Sequence, residues 1–314
     1  MNKLINSCGY AAIDPWFITG FTDAEGCFSL SVVRNKKSKV GWCVKQSFQI
    51  GLDKKDRVLL YRIKSSFGVG SINFKHGPQT IQYRVVSVKD LAKVLDHFDK
   101  YPLITQKRAD YELFKQAVRL MEQKEHLTET GLAKIVAIKA VLNKGLSEEL
   151  KAAFPNILPV LRPEVEDPDI KDTNWLAGFT TGVRSGCFLV TVQKSPTTKT
   201  GFSVGLSFRI TQHSRDEQLI RSLVSYLGCG RIDKASTRPN EVNFHVTKFS
   251  DILGKIIPFF KTFTILGVKF KDFEDFCRVA ELMQNKEHLT DEGLDHIRKI
   301  KIGMNKGREF SDLK

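Results

Sequence analysis

Two carboxylates, Asp23 and Glu25, stand near the end of a short motif that is otherwise apolar, aromatic and small. The motif reads WFITGFTDAEGCF at 16–28 and returns as WLAGFTTGVRSGCF at 175–188, where it contains no acid. No Asp or Glu occurs anywhere from 173 to 215. Carboxylates and backbone carbonyls are the ligands that a hard cation such as Mg²⁺ prefers. The pattern predicts a divalent-cation site in the first copy and a degraded site in the second.

Each copy of the motif is predicted to form a helix. Asp14 can cap the first helix, Pro15 suits its first turn and Gly26 suits its end. Asn174 can cap the second helix in the same way. Because an acid at a helix C-terminus opposes the helix dipole, Glu25 favours a nearby cation. The alternative interpretation is that the two acids are ordinary solvated side chains.

Small residues lie in the middle of both predicted helices. They are Gly20 in the first copy, and Ala177 and Gly178 in the second. A helical Gly is less favourable than Ala by about 1 kcal/mol, so its presence in both copies calls for a packing reason. We therefore expect the two motif helices to pack closely against one another, with their C-terminal ends adjacent.

The duplication extends well beyond this motif. FGVGSI at 67–72 returns as LGCGRI at 227–232, and LMEQKEHLTETGL at 120–132 returns as LMQNKEHLTDEGL at 282–294. The separation between matching residues changes only from 158 at the motif to 162 near the end. Such a long and nearly constant offset indicates two copies of one domain rather than a short-period solenoid.

The predicted boundaries follow from the repeat. Residues 1–150 form the first repeat and 173–314 the second, and the residues 151–172 between them contain four prolines. Because Pro lacks an N–H and disfavours helix in the residue before it, this segment is predicted to be an extended linker.

The charge of the chain is strongly positive, since 49 Lys and Arg against 35 Asp and Glu give +14. That balance predicts a polyanionic partner, and its alternative is a basic protein that merely stays soluble. No apolar run approaches the roughly 18 residues of a membrane span, and no secretion signal is evident. The six cysteines show neither CxxC spacing nor a Cys/His cluster, which is typical of a reducing compartment.

Strand-like runs and helices follow each motif helix in the same order. In the first repeat the predicted strands are 27–34, 42–50, 69–75 and 80–88, and the predicted helices are 56–67, 89–99, 106–121 and 131–142. Matching segments follow in the second repeat. The hairpin connections imply antiparallel sheets. The fold class is therefore α+β, with two pseudo-symmetric αββαββα repeats.

Alternation along the strands predicts one polar face on each sheet. A solvated outer face is the alternative interpretation, because antiparallel sheets commonly have one. However, Arg, Lys, Gln and Asn also pair with base edges in the DNA major groove, and the basic loop at 35–39 suits phosphate contacts. We expect the two sheets to form a saddle for duplex DNA. The predicted contacts are Ser29, Ser31, Lys45, Ser47, Gln49, Asn73, Lys75, Gln82, Arg84, Thr191, Gln193, Ser207, Arg209, Arg231, Asn243 and His245.

The first motif resembles the signature helix of the LAGLIDADG homing endonucleases, and the copy at 175–188 resembles a degraded form of it. The chain is most similar to single-chain, two-repeat members encoded in fungal mitochondrial introns. The resemblance implies a monomer that binds a long asymmetric site on double-stranded DNA and cleaves both strands with Mg²⁺. Ca²⁺ is expected to occupy the same site without supporting cleavage, and the resemblance implies a mitochondrial location.

The resemblance also implies roles for individual residues. The acid that closes each signature helix binds metal, helped by the preceding carbonyl, which corresponds to Glu25 and Ala24 in the first repeat. In the second repeat the preceding carbonyl is that of Gly182. Residues carried over as assisting near the scissile phosphates are Gln49, Lys107, Arg209 and Lys269.

The second motif departs from the family pattern where the acid belongs. Counting forward from LAGFTTG places Val183 at the position of the acid, counting backward from GCF places Ser185 there, and Arg184 lies between them. None of the three is a carboxylate, and an Arg would repel a metal ion. We therefore expect DNA binding with impaired double-strand cleavage, or with nicking by the half that contains Glu25.

Two other functions compete with this one. A LAGLIDADG-like protein without catalysis could act as an intron RNA maturase or as a DNA-binding protein, and loss of one acid is compatible with either. A general basic RNA-binding protein fits less well, because the chain has no aromatic RNP motif.

Overall fold

The structure is a computed structural model that describes residues 12–74, 77, 79–165, 168–182, 187–234, 236–305 and 308. Lys75, Val183, Arg184 and Ser185 lie outside the described residues. The chain divides between Asp169 and Ile170 into two compact units. No helix in the described part of the chain is both long enough and apolar enough to cross a membrane.

The first unit contains six α-helices and four strands among its described residues. In chain order they are α1 (Pro15–Glu25), β1 (Gly26–Arg34), β2 (Trp42–Asp53), α2 (Arg57–Phe67), β3 (Ser71–Phe74), β4 (Thr80–Val85), α3 (Val88–Lys100), α4 (Lys107–Glu122), α5 (Glu129–Val141) and α6 (Glu148–Ala153).

The second unit repeats this order without a counterpart of α6 in its described part. Its elements are α7 (Thr173–Thr181), β5 (Cys187–Lys194), β6 (Phe202–His213), α8 (Glu217–Leu227), β7 (Arg231–Asp233), β8 (Glu241–Val246), α9 (Phe249–Asp251), α10 (Ile257–Thr262), α11 (Lys269–Gln284) and α12 (Asp291–Ile302). A π-helical turn, Ile252–Ile256, joins α9 to α10. The predicted α+β class with two antiparallel sheets is confirmed.

Each sheet has four antiparallel strands, in the orders β1-β2-β4-β3 and β5-β6-β8-β7. Aromatic side chains fill the core beneath each sheet. Phe28 lies within 5.5 Å, centroid to centroid, of Phe98 and Phe114. Phe188 packs in the same way against Phe260 and Phe276. The alternating burial of the strands directs the apolar face of each sheet toward its helices and leaves the polar face on the other side.

The repeated KEHLT segment forms a tight turn before α5 and again before α12. Lys124 adopts a left-handed backbone, and the Thr128 hydroxyl caps α5 by accepting from the Gly131 N–H. A Cβ on Gly131 would lie 2.0 Å from the Glu125 carbonyl oxygen, which explains the glycine. The segment therefore shapes the fold rather than the site.

The repeated Asn-Lys-Gly segment ties the closing helices to the sheets. Asn143 has a φ of 56°, and its side chain donates to the Phe28 carbonyl at 2.8 Å and accepts from the Leu30 N–H at 3.3 Å. Asn305 donates to the Phe188 carbonyl in the second unit. Both contacts hold the first strand of a sheet, and with it the end of the preceding motif helix.

The proline-rich segment differs from a plain extended linker. Helix α6 runs into it as far as Ala153, and the following residues lie along the first unit. The Val160 N–H donates to the Ala137 carbonyl, and the Arg162 guanidinium pairs with Asp110 at 2.8 Å. The predicted packing of the motif helices and the predicted saddle stay predictions.

Candidate active site and nucleic-acid face

Helix α1 starts and ends as its sequence predicts. The Asp14 carboxylate accepts from the Trp16 N–H at 2.8 Å, and Gly26 ends the helix as the chain enters β1. Gly26 has an ordinary φ of −74°, but a Cβ there would lie 2.4 Å from the Thr22 Cγ2. Close approach therefore requires this glycine, which lets the strand begin directly after Glu25.

The cap of α7 differs from the prediction. Asp172 precedes the helix and accepts from the Asn174 N–H at 2.7 Å, so the prediction of Asn174 as the cap is wrong. The Asn174 amide also donates to Asp172, at 3.0 Å. The charged acceptor one position outside the helix takes the capping role, because Asn174 is already part of the first helical turn.

Asp23 is a structural carboxylate. It is 2% exposed and accepts hydrogen bonds from the Ile104 N–H at 3.1 Å, and from the N–H and hydroxyl of Thr105 at 3.3 and 2.5 Å. These bonds fix the end of α1 to the segment that leads into α4. Since its oxygens are engaged in the interior, Asp23 positions the site rather than binding an ion.

Glu25, the last residue of α1, is half-buried and faces a different environment. Its carboxylate has no hydrogen bond or ion pair with the described residues. Together with the Ala24 carbonyl it offers hard oxygen donors at the negative end of a helix dipole, which suits Mg²⁺ or Ca²⁺. The described residues contain no group of three or more His, Cys, Asp or Glu placed to hold a metal ion. An ion bound here would therefore need oxygen ligands from the nucleic acid and water as well.

Lys107 is the first residue of α4, and its ammonium lies at the end of α1. The Nζ donates to the Thr22 carbonyl at 2.8 Å and to the Asp23 carbonyl at 2.9 Å. The buried Asp23 carboxylate holds the start of α4, so the same residue fixes this lysine from two directions. A positive charge is therefore held at backbone carbonyls two and three residues before Glu25.

In the second unit a lysine again contacts the end of the motif helix, but the motif contains no acid. Thr181 stands at the position of Asp23 and accepts from the Leu266 N–H at 3.3 Å. Lys269, the counterpart of Lys107, donates from Nζ to the Gly182 carbonyl at 2.5 Å. That oxygen is the one expected to help bind a second ion. By the forward count, Thr181 and Gly182 stand at the positions of Asp23 and Ala24, and Val183, which that count puts at the position of Glu25, lies outside the described residues.

The first sheet brings its predicted polar residues to one face. In the strand registers, Ser31 lies opposite Lys45 and Gln49 lies opposite Arg84. Gln82 donates to the Gln49 side-chain oxygen at 3.1 Å. Asn73 and Ser29 lie on the same face. Lys45 and Arg84 are exposed and have no ion pair with the described residues, so their charges are available to an anion.

The second sheet brings its predicted residues together as well, but with an added acid. Asp233 pairs with Arg231 at 3.0 Å and with the His245 Nδ1 at 2.9 Å. Burial raises the pKa of Asp233, and hydrogen bonds from His245 and Arg231 lower it by more, so that the net shift is downward. The Thr211 hydroxyl donates to Asn243 at 2.5 Å. Asp233 was not predicted, although it alternates in step with Arg231 on the same strand.

The remaining predicted residues divide into accessible and buried ones. Thr191 and Gln193 are exposed, and Arg209 is half-buried opposite the backbone of His245. Ser47 and Ser207 lie on the polar faces but are only 1% and 8% exposed. The expectation that these two serines are open to a ligand is therefore wrong, because each is a short side chain between longer neighbours on its strand.

Comparison with known proteins agrees with this arrangement. A description of the LAGLIDADG endonuclease family matches residues 18–118 and 176–280, one match in each unit. The chain belongs to the LAGLIDADG endonuclease family. The predicted resemblance, to both repeats, is thereby confirmed.

Individual LAGLIDADG relatives cover nearly the whole chain. It is 40% identical over 307 residues to the Neurospora crassa protein named probable intron-encoded endonuclease 2, a match that spans 94% of this chain and 66% of that protein. It is also similar to the crystal structure of the I-SmaMI LAGLIDADG homing endonuclease bound to cleaved DNA. The TM-score is 0.92 and the identity 52%, with 95% of this chain and 98% of the other covered.

A second I-SmaMI structure is described as bound to uncleaved DNA target in the presence of calcium ions. It matches with a TM-score of 0.90 and 52% identity, over 94% of this chain and 100% of the other. The LAGLIDADG fold of the present chain is thus the fold of proteins seen with duplex DNA, and one of those structures was obtained with a divalent cation.

Proposed function

We propose that this LAGLIDADG protein binds a long asymmetric site on double-stranded DNA and that only its first repeat can hydrolyse a phosphodiester bond. The observation that carries the proposal is the contrast between Glu25, a half-buried carboxylate without a described partner, and the acid-free end of α7. The product of such a protein is a nick in one strand, rather than the double-strand break expected of a complete homing endonuclease.

The first repeat has the groups that this reaction needs. Glu25 and the Ala24 carbonyl would hold a divalent ion, where Mg²⁺ would support cleavage and Ca²⁺ would support binding alone. When bound, such an ion neutralises phosphate charge and lowers the pKa of a coordinated water. Lys107, fixed by the Thr22 and Asp23 carbonyls, supplies a second positive charge near the phosphate. Gln49 lies opposite Cys27 at the start of β1, and we assign it to assist near the scissile phosphate.

In the second repeat we assign Lys269 and Arg209 to phosphate binding without hydrolysis. Lys269 keeps its contact with the helix end, and Arg209 has no ion pair among the described residues. Neither residue substitutes for a carboxylate, because both repel a metal ion. The second repeat therefore contributes DNA affinity and position.

The polar faces provide the recognition surface. Arg84 and Lys45 are available in the first sheet, whereas Arg231 and His245 are held by Asp233 in the second. A guanidinium fixed by a carboxylate is well suited to a defined contact with a base edge, and an unpaired one to a phosphate. By the same resemblance, we place the protein as a monomer encoded in a fungal mitochondrial intron.

The test compares Glu25→Gln with the unchanged protein on a duplex selected by binding from a randomised pool. The substitution keeps the size of the side chain and removes its charge, so we expect nicking in Mg²⁺ to fall by at least about 10³-fold while DNA affinity in Ca²⁺ is retained. Glu122→Gln, an exposed acid on α4, is the matched control and should nick normally.

Other outcomes identify other functions. A protein that binds the duplex and shows no nicking, with or without Glu25, is a binding protein. If it also promotes splicing of its intron RNA, it is the maturase of the alternative interpretation. If Glu25→Gln nicks as fast as the unchanged protein, the carboxylate has no role in catalysis.

A further inference from the structure

A small pocket opens at the edge of the first sheet, between the start of α2 and the β3–β4 pair. Its volume is about 260 Å³, and its described lining consists of two cations, two aromatic rings and three further side chains. They are Lys54, Arg57, Tyr61, Ile72, Asn73, Phe74 and Ile81. Phe74 and Ile72 alternate with Asn73 along β3, so most of the pocket lies on the helix side of the strand and not on the polar face.

Both aromatic rings of this pocket are unusually exposed for large apolar side chains. Tyr61 is 53% exposed and Phe74 is 64% exposed, whereas Ile81 below them is buried. Exposed aromatic rings beside cations are the usual means by which proteins hold unpaired bases, since every base has a stacking face and every nucleotide has a phosphate. The volume lies just below the roughly 300 Å³ at which sites for larger small molecules begin, which favours a single nucleotide.

In the second repeat, the corresponding positions hold charged side chains that form ion pairs with one another. The positions of Arg57, Tyr61 and Phe74 are taken, at an offset of 160, by Glu217, Arg221 and Lys234. Glu217 pairs with Arg221 at 2.7 Å and with Lys234 at 2.6 Å, so the three side chains satisfy one another.

No carboxylate lines the first-repeat pocket among the described residues, and aromatic rings replace both of the cations that the acid pairs with in the second repeat. The two copies of this position have therefore diverged. One is an ion-pair cluster, and the other is an aromatic and basic pocket. The two exposed rings and the two cations of the first copy suit a ligand that is flat, apolar on its faces and anionic.

We propose that the pocket formed by Lys54, Arg57, Tyr61 and Phe74 binds an unpaired nucleotide, with its base against the two rings and its phosphate on the two cations. The bases of an intact duplex remain stacked on one another, so a duplex supplies this ligand only if a base is flipped out of the stack. The nucleotide is either free or one unit of a single strand. Most of the pocket lies on the helix side of β3, and of its described lining only Asn73 also belongs to the predicted duplex-binding face.

The experiment uses the full chain in EDTA, without Mg²⁺ or target duplex, and a six-nucleotide oligothymidylate that contains one 5-iodouracil. Irradiation is expected to crosslink the oligonucleotide to the peptide that contains Tyr61 or Phe74. Phe74→Ala and Tyr61→Ala should each lower the yield and the affinity by about tenfold. Val58→Ala is the matched control, since Val58 is 44% exposed on α2 but does not line the pocket.

A second variant replaces the pocket with an ion-pair cluster instead of removing one aromatic ring. The triple change Arg57→Glu, Tyr61→Arg and Phe74→Lys copies the ion-pair cluster of the second repeat and should abolish the crosslink while the protein melts normally. Thymidine monophosphate added as competitor separates the two sources. Competition at millimolar concentration identifies a free-nucleotide site, and its absence identifies a single-strand subsite.

Crosslinks that map elsewhere, or that persist in the triple variant, overturn the proposal. Since the readout requires neither Glu25 nor a metal ion, failure to nick DNA does not affect it, and failure to crosslink does not affect the proposed cleavage.

Discussion

The ends of α1 and α7 are built alike and differ in charge. In the first unit Asp23 holds Ile104 and Thr105, whereas in the second unit Thr181 accepts from Leu266 and from no other donor among the described residues. The counterpart of Thr105 is Gly267, which has a φ of 70° and no hydroxyl to donate. The duplicated scaffold has kept its helices and its lysine while losing its acids. The fold of a repeat is therefore retained without the acids at its helix end.

The polar faces of the two sheets also differ in charge, but here the additional acid belongs to the second repeat. The first face presents Arg84 and Lys45 without described ion pairs, and the second holds Arg231 and His245 against Asp233. The second repeat, which lacks an acid at its helix end, has thus gained one on its sheet. This difference is consistent with division of labour, in which one half cleaves and the other half mainly recognises.

The largest expected difference between the halves concerns their lysines. Lys107→Met removes the charge next to Glu25, and we expect the nicking rate to fall by about 10²-fold. Lys269→Met removes the equivalent charge beside an acid-free helix end, and we expect a change of less than about threefold. Single-turnover nicking with saturating protein measures both. Equal losses from the two substitutions would mean that both halves take part in hydrolysis.

The next difference concerns the stability of the two helix ends. Asp23→Ala leaves the N–H groups of Ile104 and Thr105 and a hydroxyl without their buried acceptor, which should cost about 4 kcal/mol. Thr181→Ala removes one weak acceptor and one hydroxyl bond, which should cost about 1 kcal/mol. Urea denaturation measures both, and amide exchange at Ile104 and Leu266 assigns each loss to its unit. A Thr181 effect as large as that of Asp23 would contradict the assigned roles.

A further difference should be visible as acid sensitivity. His97 lies between Thr19 and the ring of Phe67, and burial lowers its pKa from 6.5 to about 4. The unfolded chain therefore binds a proton between pH 6.5 and pH 4 that the folded chain does not, so stability falls as the pH falls through that window. The loss attributable to this residue is about 3 kcal/mol.

The second unit supplies the matched change for this test. Ala177 and Phe259 stand at the positions of Thr19 and His97. Thr19→Ala combined with His97→Phe should therefore flatten the dependence of the urea midpoint on pH between 7 and 4, relative to the unchanged protein. An unaltered pH dependence would show that His97 titrates normally in the folded state.

Much of the fold could be predicted because the sequence pattern of most elements occurs in both repeats. The alternation of strands such as β2, the cap at Asp14 and the Gly at position 26 are local signals that a single sequence carries. The family also follows from the motif itself. These features depend on neighbours within a few residues, and for that reason pattern and spacing were sufficient.

Apart from the choice of Asn174 over Asp172 as the cap of α7, the errors concern contacts between residues distant in sequence. Asp23 resembles a second metal ligand until its partners at Ile104 and Thr105 are known, 81 and 82 residues away. Likewise Asp233 engages His245 through strand pairing that alternation alone does not reveal. The burial of Ser47 depends on neighbouring side chains. A single sequence does not encode such long-range partners in its spacing.

The central claim, that only the first repeat cleaves, is tested most directly by a strand-resolved assay. The selected duplex carries a different dye on each strand, and the products formed in Mg²⁺ are separated under denaturing conditions. The unchanged protein should cut one strand only. A variant that lacks Val183 and Arg184 and carries Ser185→Glu restores the spacing of the first motif and should cut both. Equal cleavage of both strands by the unchanged protein would contradict the account.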